Sequence, residues 1–216
     1  MARRPAERRV DEARALGSTD ETRALYRDWA AGYDRDIAGE LEFTSGRDIA
    51  ELMAQHVGDR SSSIIDLGCG TGLVGAELKR IGFAQLVGLD LSPEMLKVAR
   101  SKAIYRELIE ADLLQPLEIG DATYDAAISA GTFTSGHVDA GRLGEILRIL
   151  KPGGVLACVI ASSFWQAGGF ADELARLEAD GRMTLAHHSV RPISNAIAGD
   201  GRFCVMVLNE RAGSNS

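Results

Sequence analysis

Asp66-Leu67-Gly68-Cys69-Gly70-Thr71-Gly72 follows the apolar run Ser63-Ile64-Ile65 and opens onto a helical pattern, Leu73-Val74-Gly75-Ala76-Glu77-Leu78. The order is that of a strand, a glycine turn and a helix. Glycines at 68, 70 and 72 permit positive φ in a tight turn and remove the Cβ atoms that would keep a ligand from the main chain. The spacing is G-x-G-x-G, because position 73 is Leu and the next glycine is Gly75. A dinucleotide turn has the form G-x-G-x-x-G. Asp66, two residues ahead of the first glycine, is expected to accept from an ammonium group or from turn amides and would repel a pyrophosphate.

A second apolar run, Leu86-Val87-Gly88-Leu89, ends in Asp90. That is about 20 residues beyond the glycine turn, where open α/β sheets place an acid that holds ribose hydroxyls. A third run, Glu107-Leu108-Ile109-Glu110, reaches Ala111-Asp112-Leu113, and a fourth, from Tyr124 to Ala130, leads into Gly131-Thr132-Phe133-Thr134-Ser135-Gly136-His137-Val138. Lys151-Pro152-Gly153-Gly154 stops a helix over residues 142–150 before a fifth strand, 155–161. Met183 to Val190 and Phe203 to Leu208 supply two more strands. Alternating β and α through the first five predicts a parallel sheet, and the short join of the last two suits an antiparallel final strand.

These motifs resemble those of the class I S-adenosylmethionine (SAM) dependent methyltransferases, over roughly residues 33–161. The loop from Gly131 to Val138 looks like that of the Williams-Beuren syndrome region methyltransferase-like proteins. The resemblance implies an α/β fold, a Rossmann-like three-layer sandwich with a seven-stranded, mostly parallel sheet. It also implies SAM as cofactor, held by Asp66, Gly68, Cys69, Gly70, Thr71 and Gly72, by Asp90 at the ribose, by Leu91 and Met95, by Ala111, Asp112 and Leu113 at the adenine, and by Ser129. Tyr33-Asp34 resembles a pair whose tyrosine reaches the methionine half of SAM. Two rival readings are a SAM-binding partner subunit without turnover and a nicotinamide-dependent oxidoreductase, which the glycine spacing disfavours.

Methyl transfer from a sulfonium requires alignment and exclusion of water. A hydroxyl acceptor gains from a base near its proton, and His137, after strand four, is the candidate. Trp29, Tyr33 and Phe133 are the remaining candidate acceptor contacts. His56 reads as a packed residue, and of His187-His188 at most one can enter a pocket.

At 216 residues, the chain suits one domain, 41–210, preceded by a helical lid, 19–40, with disordered tails at 1–18 and 211–216. Leu25, Trp29, Tyr33 and Ile37 recur every fourth residue behind a capping box at Ser18, and a second box is expected at Ser45. Net charge is -7, so nucleic acid is not expected as partner, and the longest apolar stretches, such as Val155 to Ala161, are far below the ~18 residues of a span, so no membrane is expected either. A small-molecule acceptor, a cytoplasmic setting and a monomer or homodimer are. Three well-separated cysteines without a C-x-x-C pair suggest neither disulfides nor a metal.

Overall fold

The computed structural model describes residues 3–210. Its strands are β1 (Ser63–Leu67), β2 (Gln85–Asp90), β3 (Glu107–Glu110), β4 (Tyr124–Phe133), β5 (Leu150–Ala161), β6 (Met183–Pro192) and β7 (Asp200–Leu208). Its helices are α1 (Pro5–Arg14), α2 (Thr19–Trp29), α3 (Ser45–His56), α4 (Leu73–Ile81), α5 (Pro93–Ser101), α6 (Leu143–Arg148) and α7 (Phe170–Ala179). One seven-stranded sheet runs in the order β3-β2-β1-β4-β5-β7-β6. The first five strands are parallel, and β7 lies antiparallel between β5 and β6.

Period-two alternation divides the core. Ile65, Leu67, Val87, Cys158 and Cys204 face the layer of α6 and α7, while Ile64, Leu86, Ala126, Phe203 and Val205 face that of α3 and α4. Both faces are covered over the central strands, which is why β1, β2, β4, β5 and β7 carry long apolar runs, whereas β3 and β6 at the edges do not. Cys158 and Cys204 pair across β5 and β7 as free, buried thiols. The strand order reverses between β1 and β4, so the carboxyl ends of these two strands open the crevice where such sheets bind ligands.

Several local expectations need correction. Residues 1–18 do not form a tail throughout. Pro5 at the first turn starts α1, whose Ala6, Val10 and Ala13, spaced at i, i+4 and i+7, are buried against Trp29, Ile37 and Leu41. Residues 211–216 lie outside the described residues. Ser18 caps α2 by accepting from Glu21 N, but Glu21 returns to Gly17 N. Ser45 is not a cap: Thr44 is the N-cap of α3, and Ile193 O accepts from the Thr44 and Ser45 N–H groups. α2 stops at Trp29, and after the turn at Gly32 the chain continues as a π-helical turn, Arg35–Glu40. The strand-four run does not end at Ala130. It continues through a register irregularity to Phe133, so Gly131 and Thr132 extend the strand towards the crevice.

Candidate functional site

Gly68 and Gly70 take φ +70 and +53 at the end of β1. A Cβ on Gly68 would lie 2.1 Å from Thr132 Oγ1, whereas one on Gly70 would meet nothing within 4 Å. The first glycine is therefore required by packing against β4, and the second presents bare backbone to open space. Asp90 braces this turn: its Oδ2 accepts from Gly70 N at 2.7 Å and its Oδ1 from Ser92 N at 2.9 Å. Burial pushes the Asp90 carboxyl above its usual pKa, against the pull of those amides. A carboxylate has about four lone-pair sites, so capacity remains on both oxygens.

Two cavities, of about 310 and 220 Å³, open around the turn. The first is walled by Asp90, Leu91, Met95, Ala111, Asp112 and Leu113 from the sheet side and by Ser18, Thr19, Thr22 and Arg23 of the α2 segment. Asp112 Oδ1 accepts from Leu114 N at 2.8 Å, and Thr19 Oγ1 stands 3.4 Å from its Oδ2. The second is bordered by Trp29, Phe43, Cys69, Thr71, Phe133 and Ile193. Tyr26, Tyr33, Gly68, Gly70, Ala130, Gly131 and His137 line both. Gly136 lets the loop after β4 press on the chain after α1, for a Cβ there would sit 2.9 Å from Leu16 O.

His137 stands at this shared wall. Its Nδ1 is 3.2 Å from Ser135 O, and a carbonyl only accepts, so Nδ1 carries the proton and Nε2 accepts from the Tyr26 hydroxyl at 2.9 Å. Burial lowers the His137 pKa, partly offset by the Ser135 carbonyl. The neutral imidazole is thus held in one tautomer. Asp34, beside Tyr33, accepts from Thr71 Oγ1 at 2.5 Å and pairs with Lys102 at 2.5 Å, which ties the segment after α2 to the glycine turn and to the end of α5.

Three residues expected at the cofactor line neither cavity: Asp66, Gly72 and Ser129. Period two in β1 puts Asp66 on the face of Ile64, beneath α4, where its Oδ2 accepts from Tyr105 at 2.6 Å. Its Oδ1 has no hydrogen-bond partner among the described residues. Burial raises the Asp66 pKa to about 7, with the Tyr105 hydrogen bond opposing and the charge of Asp90 adding. Gly72 is the N-cap of α4 at φ +90. Ser129 is fully buried and donates to Leu67 O at 2.7 Å. Trp29 and Phe133 border the second cavity but are largely turned inward: Trp29 Nε1 donates to Asp36 at 2.8 Å, and the Phe133 ring meets Phe170 at 5.5 Å. Among the described residues, no cluster of three or more His, Cys, Asp or Glu side chains is placed to hold a metal, and no helix is long and apolar enough to cross a membrane.

A family profile described as a methyltransferase domain matches residues 65–158. Human methyltransferase-like protein 27 is 36% identical over 151 residues, covering 68% of this chain and 61% of that protein. Over residues 65–158 the chain carries this methyltransferase domain, on the fold of the class I SAM-dependent methyltransferases. It spans about half the length of the curated relatives it matches, 61%, 48% and 41% for the first three. The fold agrees with a chain in the complex of the Haloferax volcanii Trm112 methyltransferase activator, at TM-score 0.66 and 20% identity, covering 86% of this chain and 98% of that one. It agrees also with geranyl diphosphate C-methyltransferase from Streptomyces coelicolor A3(2), solved with S-adenosyl-L-homocysteine, at TM-score 0.55 and 16% identity over 74% of each chain.

SAM is the cofactor of this family, and the site fits it. Gly70 presents bare main chain to open space, and Asp90 retains acceptor capacity in the wall of the first cavity. Tyr26, Tyr105 and Arg14 were not singled out by the sequence. Tyr26 lies seven residues before Tyr33, two helical turns apart, a spacing that would have disclosed it; Tyr105 carries no such signal.

Proposed function

We propose that this chain transfers a methyl group from SAM to a small-molecule acceptor by in-line displacement. The observation that carries the reading is the pair of cavities that meet at Gly68, Gly70, Gly131 and His137, one walled by the strand-end acids Asp90 and Asp112 and the other bordered mainly by apolar side chains. When bound, SAM supplies an electrophilic methyl group on a sulfonium centre. Asp90 would hold the ribose hydroxyls with its free lone pairs, Asp112 would accept from the adenine amino group, and Leu91, Met95, Ala111 and Leu113 would border the base. Gly68, Gly70 and Tyr33, which line both cavities, would border the path of the amino-acid tail, with Cys69 and Thr71 at the edge of the second cavity beside it.

In this reading, the second cavity admits the acceptor and residues 19–40 act as the lid that excludes water. His137 presents a neutral Nε2 at the shared wall, so a hydroxyl acceptor can give up its proton there. To do so it must displace the Tyr26 hydroxyl or pass the proton through it. The test is release of S-adenosylhomocysteine from SAM across a panel of small hydroxyl, amine and carboxyl compounds. Turnover above the no-acceptor background supports the reading, and binding of SAM without turnover on any compound favours a non-catalytic partner subunit.

A further inference from the structure

The second cavity is bordered mainly by apolar side chains, Val10, Trp29, Ile37, Phe43 and Ile193 among them, and by three charged ones, Arg14, Arg47 and Glu77. Two of these three are engaged elsewhere. Arg47 donates twice to Asp48 Oδ1, at 3.1 and 3.0 Å, and Glu77 accepts from Arg80 at 2.7 Å. Arg14, in the last turn of α1, has neither a hydrogen bond nor an ion pair from its side chain among the described residues. It is half-buried, and burial lowers its pKa with no neighbouring carboxylate to offset the cost.

A cation drawn out of water is costly unless an anion joins it, and a guanidinium matches a carboxylate with two parallel hydrogen bonds. An apolar chamber with a single uncommitted cation is complementary to an apolar molecule with one anionic end. We propose that Arg14 anchors the carboxylate of an otherwise apolar acceptor acid in the second cavity. This rests on the reading of that cavity as the acceptor chamber. The carboxylate is the handle and not the methylated atom, since Arg14 borders only the second cavity while His137 and the glycine turn lie at the wall shared with the first.

The same chemistry has a second source, the carboxylate of the cofactor's own amino-acid tail, and the experiment separates the two. Octanoate and octanamide are titrated by calorimetry into the full chain saturated with S-adenosylhomocysteine, as wild type, Arg14→Ala and Arg14→Lys. Octanoate should bind about ten- to a hundredfold more tightly than the amide, the usual worth of a charge-assisted contact; Arg14→Ala should abolish that preference and Arg14→Lys keep part of it. Equal binding of acid and amide, binding of neither, or a preference that survives Arg14→Ala overturns the proposal. In parallel, S-adenosylhomocysteine is compared with 5′-methylthioadenosine, which lacks the tail. If Arg14→Ala weakens only the former, more than tenfold, the anion is the cofactor's and the proposal falls. If wild type binds no S-adenosylhomocysteine, the methyltransferase reading fails, while the octanoate titration of the free chain still decides the role of Arg14.

Discussion

Alanine at Gly68 and at Gly70 should injure different properties. At Gly68, φ +70 costs an L-residue roughly 1–2 kcal/mol. The added methyl would sit 2.1 Å from Thr132 Oγ1, so Thr132 must rotate and give up its hydrogen bond to Leu67 O at 3.1 Å, about 0.5–1.5 kcal/mol more. The sum, about 1.5–3.5 kcal/mol, corresponds to a fall in Tm of roughly 3–14 °C for a domain of this size. At Gly70, φ +53 brings the same backbone cost, but the methyl enters open space, so the melt should move by about half as much. S-adenosylhomocysteine affinity should instead suffer most there. Thermal melts and calorimetry on both variants check this. A Gly68→Ala protein that melts like wild type, or a Gly70→Ala protein that keeps wild-type affinity, would refute the assignment of one glycine to packing and the other to the ligand.

His137→Ala should lower turnover by about 100-fold with cofactor affinity unchanged if the imidazole is the base; a shift confined to KM would make it an orienting contact, and a changed melt alone would remove it from the site. Because burial lowers its pKa, the acid limb of kcat/KM should fall below the usual histidine range of about 6.5, and a limb above it would contradict the buried, Tyr26-bonded state. Asp66 binds its proton more tightly when folded, about 7 against 3.8, so the stability it contributes is complete below pH 3.8 and is lost as pH rises through 7. Urea unfolding of wild type should lose on the order of 2–3 kcal/mol between pH 5 and pH 8 relative to Asp66→Asn. Parallel pH dependence in the two proteins would show Asp66 to be ionised throughout.

The sheet was legible because its central strands are buried on both faces and β1, β2 and β3 run into a glycine or an acid. Leu86 to Asp90 and Phe203 to Leu208 needed only their composition. The first cavity was legible for the same reason, since Asp90 and Asp112 stand at strand ends. Asp66 was misplaced although the signal existed: period two from Ile64 puts it under α4, and only the tertiary position of Tyr105 supplies its partner. At Gly131, a glycine read as the start of a loop is a φ +85 step within the strand, which carries Thr132 to Gly68 and leaves Ser129 behind in the core. α1 was hidden by its charges. Ala6, Val10 and Ala13 are a thin stripe among arginines and acids, and it becomes a buried face only once Trp29 and Leu41 are there to cover it.

The central claim is that Asp90 and the glycine turn hold an adenosyl group. Calorimetric titration of S-adenosylhomocysteine into wild type and Asp90→Ala, with melts of both, tests it most directly. Loss of a carboxylate contact to the ribose hydroxyls should weaken binding by about 1.5–3 kcal/mol, roughly ten- to a hundredfold, while the variant remains folded. Undiminished affinity in a folded Asp90→Ala protein, or a wild type that binds NAD and is silent to SAM, would contradict it.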